Sequence, residues 1–164
     1  SQHTISPHRM ALSTVNREGT SFTLIDDSFN ANPDSMKAGL NGLKAWNSND
    51  GKEPFRVALL GAMLELGADE TALHTSIGTY ADELGIDAII AVGSAQDQHL
   101  DALAQALADG ARQSQSASVD CVHDIDAAEQ LVIDLARNHP DAVVLLKGSH
   151  ASGLSALAER WAKN

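Results

Sequence analysis

Three short, continuously apolar runs constrain the fold of this chain more than any other feature. They cover residues 57–60, 88–92 and 143–146. A strand with one face in water alternates apolar and polar residues, whereas a strand covered on both faces is apolar throughout. Runs this short suit strands better than helices. The sequence therefore predicts a parallel sheet with helices packed on both of its faces.

Longer segments with helical character separate these runs. Strands are predicted at residues 21–25, 55–60, 87–92, 118–122 and 142–146, and helices at 34–46, 69–84, 96–108, 124–138 and 152–162. Near the start, residues 10–15 and 21–25 flank the turn-forming segment 16–20, a pattern typical of a β-hairpin. The polar segment 110–117 predicts a surface loop. The alternation predicts an α/β three-layer sandwich, with a mostly parallel sheet of about six strands that begins with an N-terminal β-hairpin.

Length and charge limit the partners that the chain can have. Its 164 residues, 43% of them hydrophobic, suit a single domain over residues 1–164. Asp and Glu outnumber Lys and Arg by 22 to 11, and a net charge of -11 opposes binding to nucleic acid or to an anionic membrane. The sequence contains no apolar stretch long enough to span a bilayer, and no signal peptide is expected. With one cysteine, Cys121, the chain is expected to be cytoplasmic.

Chemistry is expected where the strands end, because open parallel sheets bind ligands beyond the carboxyl ends of their strands. Four polar or glycine-rich segments follow predicted strands, at residues 26–34, 61–67, 93–97 and 147–153. In the first segment, carboxylates could accept hydrogen bonds from ribose hydroxyls and amides could read a base edge. The alternative is ordinary turn chemistry with a helix N-cap, where Asn, Asp and Pro are favoured anyway.

The other strand ends also allow two interpretations each. Lys147 and the small residues after it could hold an anion or a carboxylate, or they could form a tight turn into the last helix. The segment 61–67 is apolar for such a loop, so it could line a pocket or pack on a neighbouring domain. His74 is expected to be a packing or capping histidine, and Cys121 an inert thiol.

Several common motifs are missing from the sequence. It contains neither the G-x-x-x-x-G-K-[ST] phosphate loop nor the G-x-G-x-x-G fingerprint of dinucleotide binding. Its seven histidines lack the spacing of zinc ligands, and no G-x-S-x-G nucleophile motif is present. No catalytic residue and no metal ligand are therefore predicted in this chain.

One motif in the first strand-end segment is specific. Residues 27–36, D-S-F-N-A-N-P-D-S-M, closely resemble the D-S-Y-N-A-N-P-x-S-M signature of the MurF branch of the Mur ligase family. Residues 60–67, L-G-A-M-L-E-L-G, resemble its L-G-D-M-L-E-L-G. His74 and Gly78 match its H-x-x-x-G, residues 146–149 resemble its V-K-G-S, and Arg9 matches an arginine that precedes the first strand. The matches occur in family order along nearly the whole chain.

The resemblance implies the C-terminal, Rossmann-like domain of a three-domain ligase of peptidoglycan synthesis. Such an enzyme uses ATP with Mg²⁺, bound mainly by its central domain, to phosphorylate the carboxylate of UDP-MurNAc-tripeptide. The amine of D-Ala-D-Ala then attacks the acyl phosphate. The resemblance covers only the last domain, so this fragment alone is expected to be inactive. A cytoplasmic monomer is expected.

The resemblance also assigns residues to two sites. It places Arg9, Asp27, Asn30 and Asn32 at the nucleotide, and Met63, Leu64, Glu65, Lys147, Gly148, Ser149 and His150 at the dipeptide. At three positions the chain departs from the pattern, with Phe29 in place of tyrosine, Ala62 in place of an acid and His150 in place of the arginine of many members. Losing a guanidinium fork at position 150 would weaken bidentate binding of a carboxylate.

Three alternative functions fit the chain less well. A different Mur or folylpolyglutamate-type ligase is disfavoured by the motifs N-A-N-P at residues 30–33 and M-L-E-L-G at residues 63–67. A receiver-like signalling domain needs an aspartate at the end of a central strand, where this chain has residues 60–62 (L-G-A) and 92–94 (V-G-S). A simple nucleotide-binding or dipeptide-binding α/β module is the third.

Overall fold

The computed structural model describes residues 10–28, 31–48 and 50–163. Six strands are formed, β1 (Ala11–Arg17), β2 (Thr20–Asp26), β3 (Arg56–Gly61), β4 (Ala88–Val92), β5 (Ser118–Val122) and β6 (Val143–Lys147). The helices are α1 (Pro33–Ala45), α2 (Glu70–Glu83), α3 (Gln98–Ala111), α4 (Ile125–Asn138) and α5 (Leu154–Ala162). Two short 3-10 helices cover Gly67–Asp69 and His150–Ser152.

All six strands join one sheet in the order β1-β2-β6-β3-β4-β5. Among the strands of the described residues, β1 and β2 alone pair antiparallel, and the other neighbouring pairs are parallel. The predicted β-hairpin is confirmed, but its turn is shorter than the segment 16–20. Glu18 and Gly19 alone connect the strands, with φ of 50° and 77°. Positive φ at both residues matches the right-handed twist of the flanking strands.

The apolar strands feed two separate cores, one on each face of the sheet. Ala58 and Leu60 of β3 pack with α1, α2 and α3. Val57 and Leu59 of the same strand pack with α4 and α5 on the opposite face. All six residues of β3 are buried, as are all those of β4 and β6. The predicted three-layer α/β sandwich with a mostly parallel sheet is therefore confirmed.

Helices α2 and α3 cross at two glycines, and this crossing corrects one prediction. Residues 110 and 111 belong to α3 rather than to the predicted loop 110–117. A Cβ added at Gly110 would lie 3.0 Å from the Thr79 backbone nitrogen, and one at Gly78 would lie 2.7 Å from that of Ala111. Glycine here allows two backbones to touch, whereas in sequence it resembles a helix breaker.

Local signals fix several helix ends. Pro33 occupies the first turn of α1, as expected. The Asp124 side chain accepts a hydrogen bond from the Ala127 N–H at the start of α4. Gly85 follows α2 with φ of 77°, the left-handed conformation that ends many helices. None of the helices in the described part of the chain combines the length and apolarity needed to cross a membrane.

A buried carboxylate joins the hairpin to the α4 and α5 layer. Glu129 of α4 accepts hydrogen bonds from Arg17 Nε at 3.1 Å, Arg160 Nη1 at 2.8 Å and Trp161 Nε1 at 2.7 Å. We call these four residues the Glu129 cluster. The acid and its donors come from β1, α4 and α5, so the cluster fixes three elements together.

Candidate functional site

The carboxyl edge of the sheet brings together three of the four predicted loops. Because β2, β6 and β3 are adjacent, the loops that follow them lie side by side. Their described residues are 27–28 with 31–32, 148–153 and 62–66. The loop after β4 lies next to them.

Asp26 and Asp27 are neighbours in sequence but have different partners. The Asp26 carboxylate accepts hydrogen bonds from the backbone N–H of Ser28 at 3.1 Å and from its hydroxyl at 2.6 Å. The Ser28 carbonyl in turn accepts a hydrogen bond from the Ser155 hydroxyl of α5. Asp26 therefore shapes the turn after β2 and ties it to the last helix.

Asp27 instead pairs with a lysine at the end of the neighbouring strand. Its Oδ2 lies 2.8 Å from Lys147 Nζ, and its Oδ1 accepts a hydrogen bond from the Met10 N–H at 3.2 Å. Lys147 Nζ also lies 3.4 Å from the Asp27 carbonyl oxygen. The structure thus joins two residues that the sequence resemblance assigns to different ligands.

Asn32 serves as the N-cap of α1. Its side-chain oxygen accepts a hydrogen bond from the Ser35 N–H at 2.9 Å, and its own N–H donates to the Ser35 hydroxyl at 3.0 Å. This reciprocal capping box matches the turn interpretation of the segment. Arg9 and Asn30, the other predicted nucleotide ligands, lie outside the described residues, as does Phe29.

Two glycines let the loops after β3 and β6 approach closely. A Cβ on Gly148 would lie 2.8 Å from Gly61 Cα, and a Cβ on Gly61 would lie 2.7 Å from Ser152 Oγ. The Ser149 N–H donates to the Ala62 carbonyl at 3.0 Å, which joins the two loops directly. Side chains at either glycine would separate them.

Two serines in the loop after β6 differ in their hydrogen bonding. The Ser152 hydroxyl donates to the Ser149 carbonyl at 2.6 Å and accepts from the Leu154 N–H at 3.4 Å. Ser149 is 8% exposed, and its buried hydroxyl has no partner among the described residues. Buried hydroxyls without a partner are uncommon and require an explanation. His150, next to it, is exposed.

The loop after β3 is anchored by a buried histidine. His74 of α2 is fully buried, and its Nε2 accepts a hydrogen bond from the Met63 N–H at 2.9 Å. The Met63 side chain belongs to the core on the α1 to α3 face. Leu64 is 38% exposed and Glu65 has φ of 61°, so these two residues form the surface of the loop.

The hydrogen bonds of His74 define its protonation state. Because Nε2 accepts from a backbone N–H, the ring proton lies on Nδ1, which donates to the Glu70 carbonyl at 2.7 Å. Burial lowers the pKa of His74 below its ordinary value of 6.5, against the opposing effect of the Glu70 bond and charge. A neutral imidazole therefore holds the loop, and the predicted packing histidine is confirmed.

Sequence reasoning missed an acid behind the loop after β4. Asp101 Oδ1 accepts from the Ser94 N–H at 3.2 Å and lies 2.8 Å from His123 Nδ1. A Cβ on Gly93 would lie 2.9 Å from Asp101 Cα. Asp101 comes from the first turns of α3, and no motif marks it. In the described part of the chain, no three His, Cys, Asp or Glu side chains group as a metal site.

A cleft of about 420 Å³ lies at the opposite edge of the sheet, beside the start of β3. Phe55 and His139 stack there with their rings 3.6 Å apart. Arg56, which also lines the cleft, donates to the carbonyls of Leu43 and Trp46 at the end of α1. Its guanidinium therefore stabilises a helix end, and the carboxyl edge remains the candidate site.

Known proteins resemble this chain along its length. The UDP-N-acetylmuramoyl-tripeptide--D-alanyl-D-alanine ligase of Mycobacterium tuberculosis (strain CDC 1551 / Oshkosh) is 38% identical over 161 residues, 94% of this chain and 31% of that protein. A crystal structure of MurF from Acinetobacter baumannii has a TM-score of 0.75 at 25% identity and covers 99% of this chain and 32% of its own. MurF from Thermotoga maritima in complex with ADP shares the fold, with a TM-score of 0.67 at 22% identity, covering 99% of this chain and 32% of its own.

A family profile gives the same answer. The family described as Mur ligase, glutamate ligase domain matches residues 8–150. The chain spans about a third of the length of the ligases that it resembles. Fold, motifs and profile agree, and this chain belongs to the Mur ligase family, in which it corresponds to the glutamate ligase domain.

Proposed function

We propose that this chain is the C-terminal domain of an ATP-dependent ligase that joins D-Ala-D-Ala to UDP-MurNAc-tripeptide through an acyl phosphate in peptidoglycan synthesis. The observation that carries the proposal is the similarity to a ligase of that name over 94% of the chain. ATP is used with Mg²⁺, bound mainly by a domain outside this chain. The enzyme acts in the cytoplasm as a monomer.

The loop after β2 forms the nucleotide side of the site. A carboxylate offers about four lone-pair positions, and the Lys147 ammonium and the Met10 N–H occupy two of those on Asp27. The remaining positions suit ribose hydroxyls. Asn32 follows in the same loop, and its side-chain oxygen caps α1. Its side-chain N–H groups would therefore be the donors to the nucleotide. Arg9 and Asn30 complete the proposed set.

The loops after β6 and β3 form the dipeptide side. The Ser149 hydroxyl, which has no partner among the described residues, and the nearby backbone at Gly148 are suited to a carboxylate of D-Ala-D-Ala. His150 is exposed beside them, and its imidazole N–H can donate a hydrogen bond to a carboxylate. Leu64 and Glu65 contribute the exposed surface of the neighbouring loop. The proposed contribution of Met63 is through its backbone, since its side chain is in the core.

The chemistry assigned to this domain is delivery rather than proton transfer. Holding the dipeptide amine against the acyl phosphate makes the attack effectively unimolecular, and closing the site excludes water that would hydrolyse the intermediate. The amine nitrogen forms the amide bond as the phosphate leaves with the C–O bond electrons, and the proton that the amine loses passes to the released phosphate or to solvent. None of the residues in this chain is assigned a catalytic role, so the isolated domain is expected to be inactive.

The test is phosphate release by the native-length protein that carries this chain. It is supplied with ATP and UDP-MurNAc-tripeptide, with and without D-Ala-D-Ala. Dipeptide-dependent release and a product heavier by one dipeptide residue would support the proposal. Release that ignores the dipeptide, by a folded protein that binds ATP, would mean that the acceptor is another molecule.

Two substitutions test the division into two sides. Asp27→Ala is expected to raise the KM for ATP about tenfold with less effect on the KM for D-Ala-D-Ala. Gly148→Val is expected to affect mainly dipeptide use, since the new side chain would push against the Gly61 backbone. Equal effects of each variant on both substrates would contradict the division. Circular dichroism and thermal unfolding identify any variant that fails to fold.

A further inference from the structure

We propose that Lys147 is a positioning residue for the nucleotide side, which acts by orienting the Asp27 carboxylate, rather than a ligand of the dipeptide. The inference rests on the proposed function and changes the assignment of one residue in it. Lys147 and Asp27 are 120 positions apart in sequence, and the pairing arises because β2 and β6 are neighbours in the sheet.

The backbone brings the two side chains to the same place. Asp26 of β2 is in register with Leu146 of β6, and the Asp27 N–H continues the ladder by donating to the Leu146 carbonyl at 3.0 Å. Lys147 is in register with Leu60 on its other side. Lys147 is the last residue of β6, and Asp27 directly follows β2 with its N–H bonded to β6, which limits the conformations that the pair can adopt.

The path of the lysine side chain is also defined. A Cβ placed on Gly39 of α1 would lie 2.8 Å from Lys147 Cδ and 3.1 Å from Asp27 Oδ2. The lysine therefore runs along the helix at a point where only glycine leaves room. Its side chain is 3% exposed, so its charge needs a partner within the protein.

The difference in exposure shows which member of the pair meets a ligand. The Asp27 side chain is 13% exposed and the Lys147 side chain 3%. A ligand that arrives at this edge would meet the carboxylate, while the ammonium lies behind it. The ammonium is within 3.4 Å of both the carboxylate and the carbonyl of Asp27, so moving it towards a dipeptide would leave the partly buried Asp27 carboxylate without its countercharge.

The experiment compares Lys147→Met with Asp27→Asn in the native-length protein. Lys147→Met is expected to raise the KM for ATP by about tenfold, as Asp27→Asn does, and to leave the KM for D-Ala-D-Ala within about twofold of wild type. The double variant is expected to have a KM for ATP no higher than that of the more affected single variant, because both substitutions remove the same interaction. Lys37→Met is the control, since Lys37 is an exposed lysine of α1 outside the site.

Gly39→Ala gives a second route that keeps both charges. The added methyl displaces the lysine stem, so the KM for ATP is expected to rise while the dipeptide KM does not. If Lys147→Met fails to fold, the KM values of Gly39→Ala test the role of Lys147 instead. A dipeptide KM that rises in either variant while the ATP KM stays constant would overturn the proposal.

A binding measurement separates this inference from the proposed function. Calorimetry with ATP is run on the wild type and on the Lys147 and Asp27 variants. If the wild type binds ATP but shows no dipeptide-dependent turnover, the proposed function fails. The role of Lys147 is then judged by whether its variant loses ATP affinity together with Asp27→Asn. If the wild type binds no ATP, both proposals are wrong.

Discussion

Two carboxylates with similar side-chain exposure, Glu129 at 11% and Asp27 at 13%, differ in the hydrogen-bond donors that they receive. Glu129 accepts from three side-chain donors, the arginines of β1 and α5 and the indole of Trp161. Asp27 accepts from one lysine and one backbone N–H at the carboxyl edge of the sheet. The Glu129 cluster connects elements, whereas the Asp27 pair lies where three loops meet.

The difference indicates how to separate polar groups that stabilise a fold from those that await a ligand. Buried polar groups normally find partners within the protein, because an unpaired one costs free energy. The Glu129 cluster follows this rule on the α4 and α5 face. At the carboxyl edge, the Asp27 carboxylate has more acceptor positions than described donors. The Ser149 hydroxyl has no hydrogen-bond partner among the described residues.

The largest expected change in stability comes from removing the acid of the Glu129 cluster. Glu129→Ala removes the acceptor shared by Arg17, Arg160 and Trp161, and the unfolding free energy is expected to fall by about 2–3 kcal/mol. The expected loss of unfolding free energy is smaller than that usual for breaking a fully buried ion pair, because the side chains of Arg17 and Arg160 are 27% and 35% exposed. Urea unfolding of this chain measures the change.

Asp134→Ala is the matched control for that measurement. Asp134 pairs with Arg137 at 3.7 Å on the surface of the same helix, so its loss is expected to change stability by less than about 0.5 kcal/mol. Equal losses in the two variants would mean that the Glu129 cluster is no more stabilising than an exposed pair. The contrast in stabilising role between the Glu129 cluster and exposed ion pairs would then not hold.

His74 is expected to give the second largest effect. It lies at the carboxyl edge but is saturated, with one nitrogen bonded to Met63 and the other to Glu70. His74→Gln can keep an acceptor near the Met63 N–H, whereas His74→Asn is too short to reach it. We expect His74→Asn to cost about 2 kcal/mol and His74→Gln about half as much, because only the former leaves the buried N–H unpaired.

The pH dependence of stability gives an independent check on His74. Burial lowers its pKa in the folded state, so below its ordinary value of 6.5 the unfolded chain binds a proton that the folded chain does not. The contribution of His74 is complete above 6.5 and is lost as the pH falls towards the lowered value. Glu70 and His99, which pair at 2.8 Å, are the neighbouring titratable groups and are retained in the variant.

The measurement follows the stability gap between wild type and His74→Gln from about pH 8 to about pH 5. The gap is expected to narrow as the pH falls, since Gln does not titrate. A gap that stays constant over this range would show that burial does not keep the imidazole neutral in the folded protein.

Much of this architecture is predictable from short-range patterns. Continuous apolarity marked β3, β4 and β6 as buried on both faces, and the parallel topology then placed their polar ends at one edge. The pairing of Asp27 with Lys147 was not predictable, because it depends on β6 lying beside β2. The same holds for Glu129 and Arg17, which are 112 residues apart. Gly110 was predicted to lie in a loop because the sequence alone does not distinguish a glycine at a helix crossing from a glycine in a loop.

The smallest expected effect, and the one most specific to the comparison, concerns two serines three residues apart. Ser152→Ala removes a hydroxyl that both donates and accepts, so a loss of about 1 kcal/mol is expected. Ser149→Ala removes a buried hydroxyl with no described partner, so stability is expected to stay constant or to rise by up to about 1 kcal/mol. In the native-length protein the same Ser149→Ala change is expected to raise the KM for D-Ala-D-Ala. A protein that is more stable without the hydroxyl but uses its substrate less well has kept that group for the ligand. If Ser149→Ala loses as much stability as Ser152→Ala, the hydroxyl is bonded within the protein, and its assignment to the dipeptide is wrong.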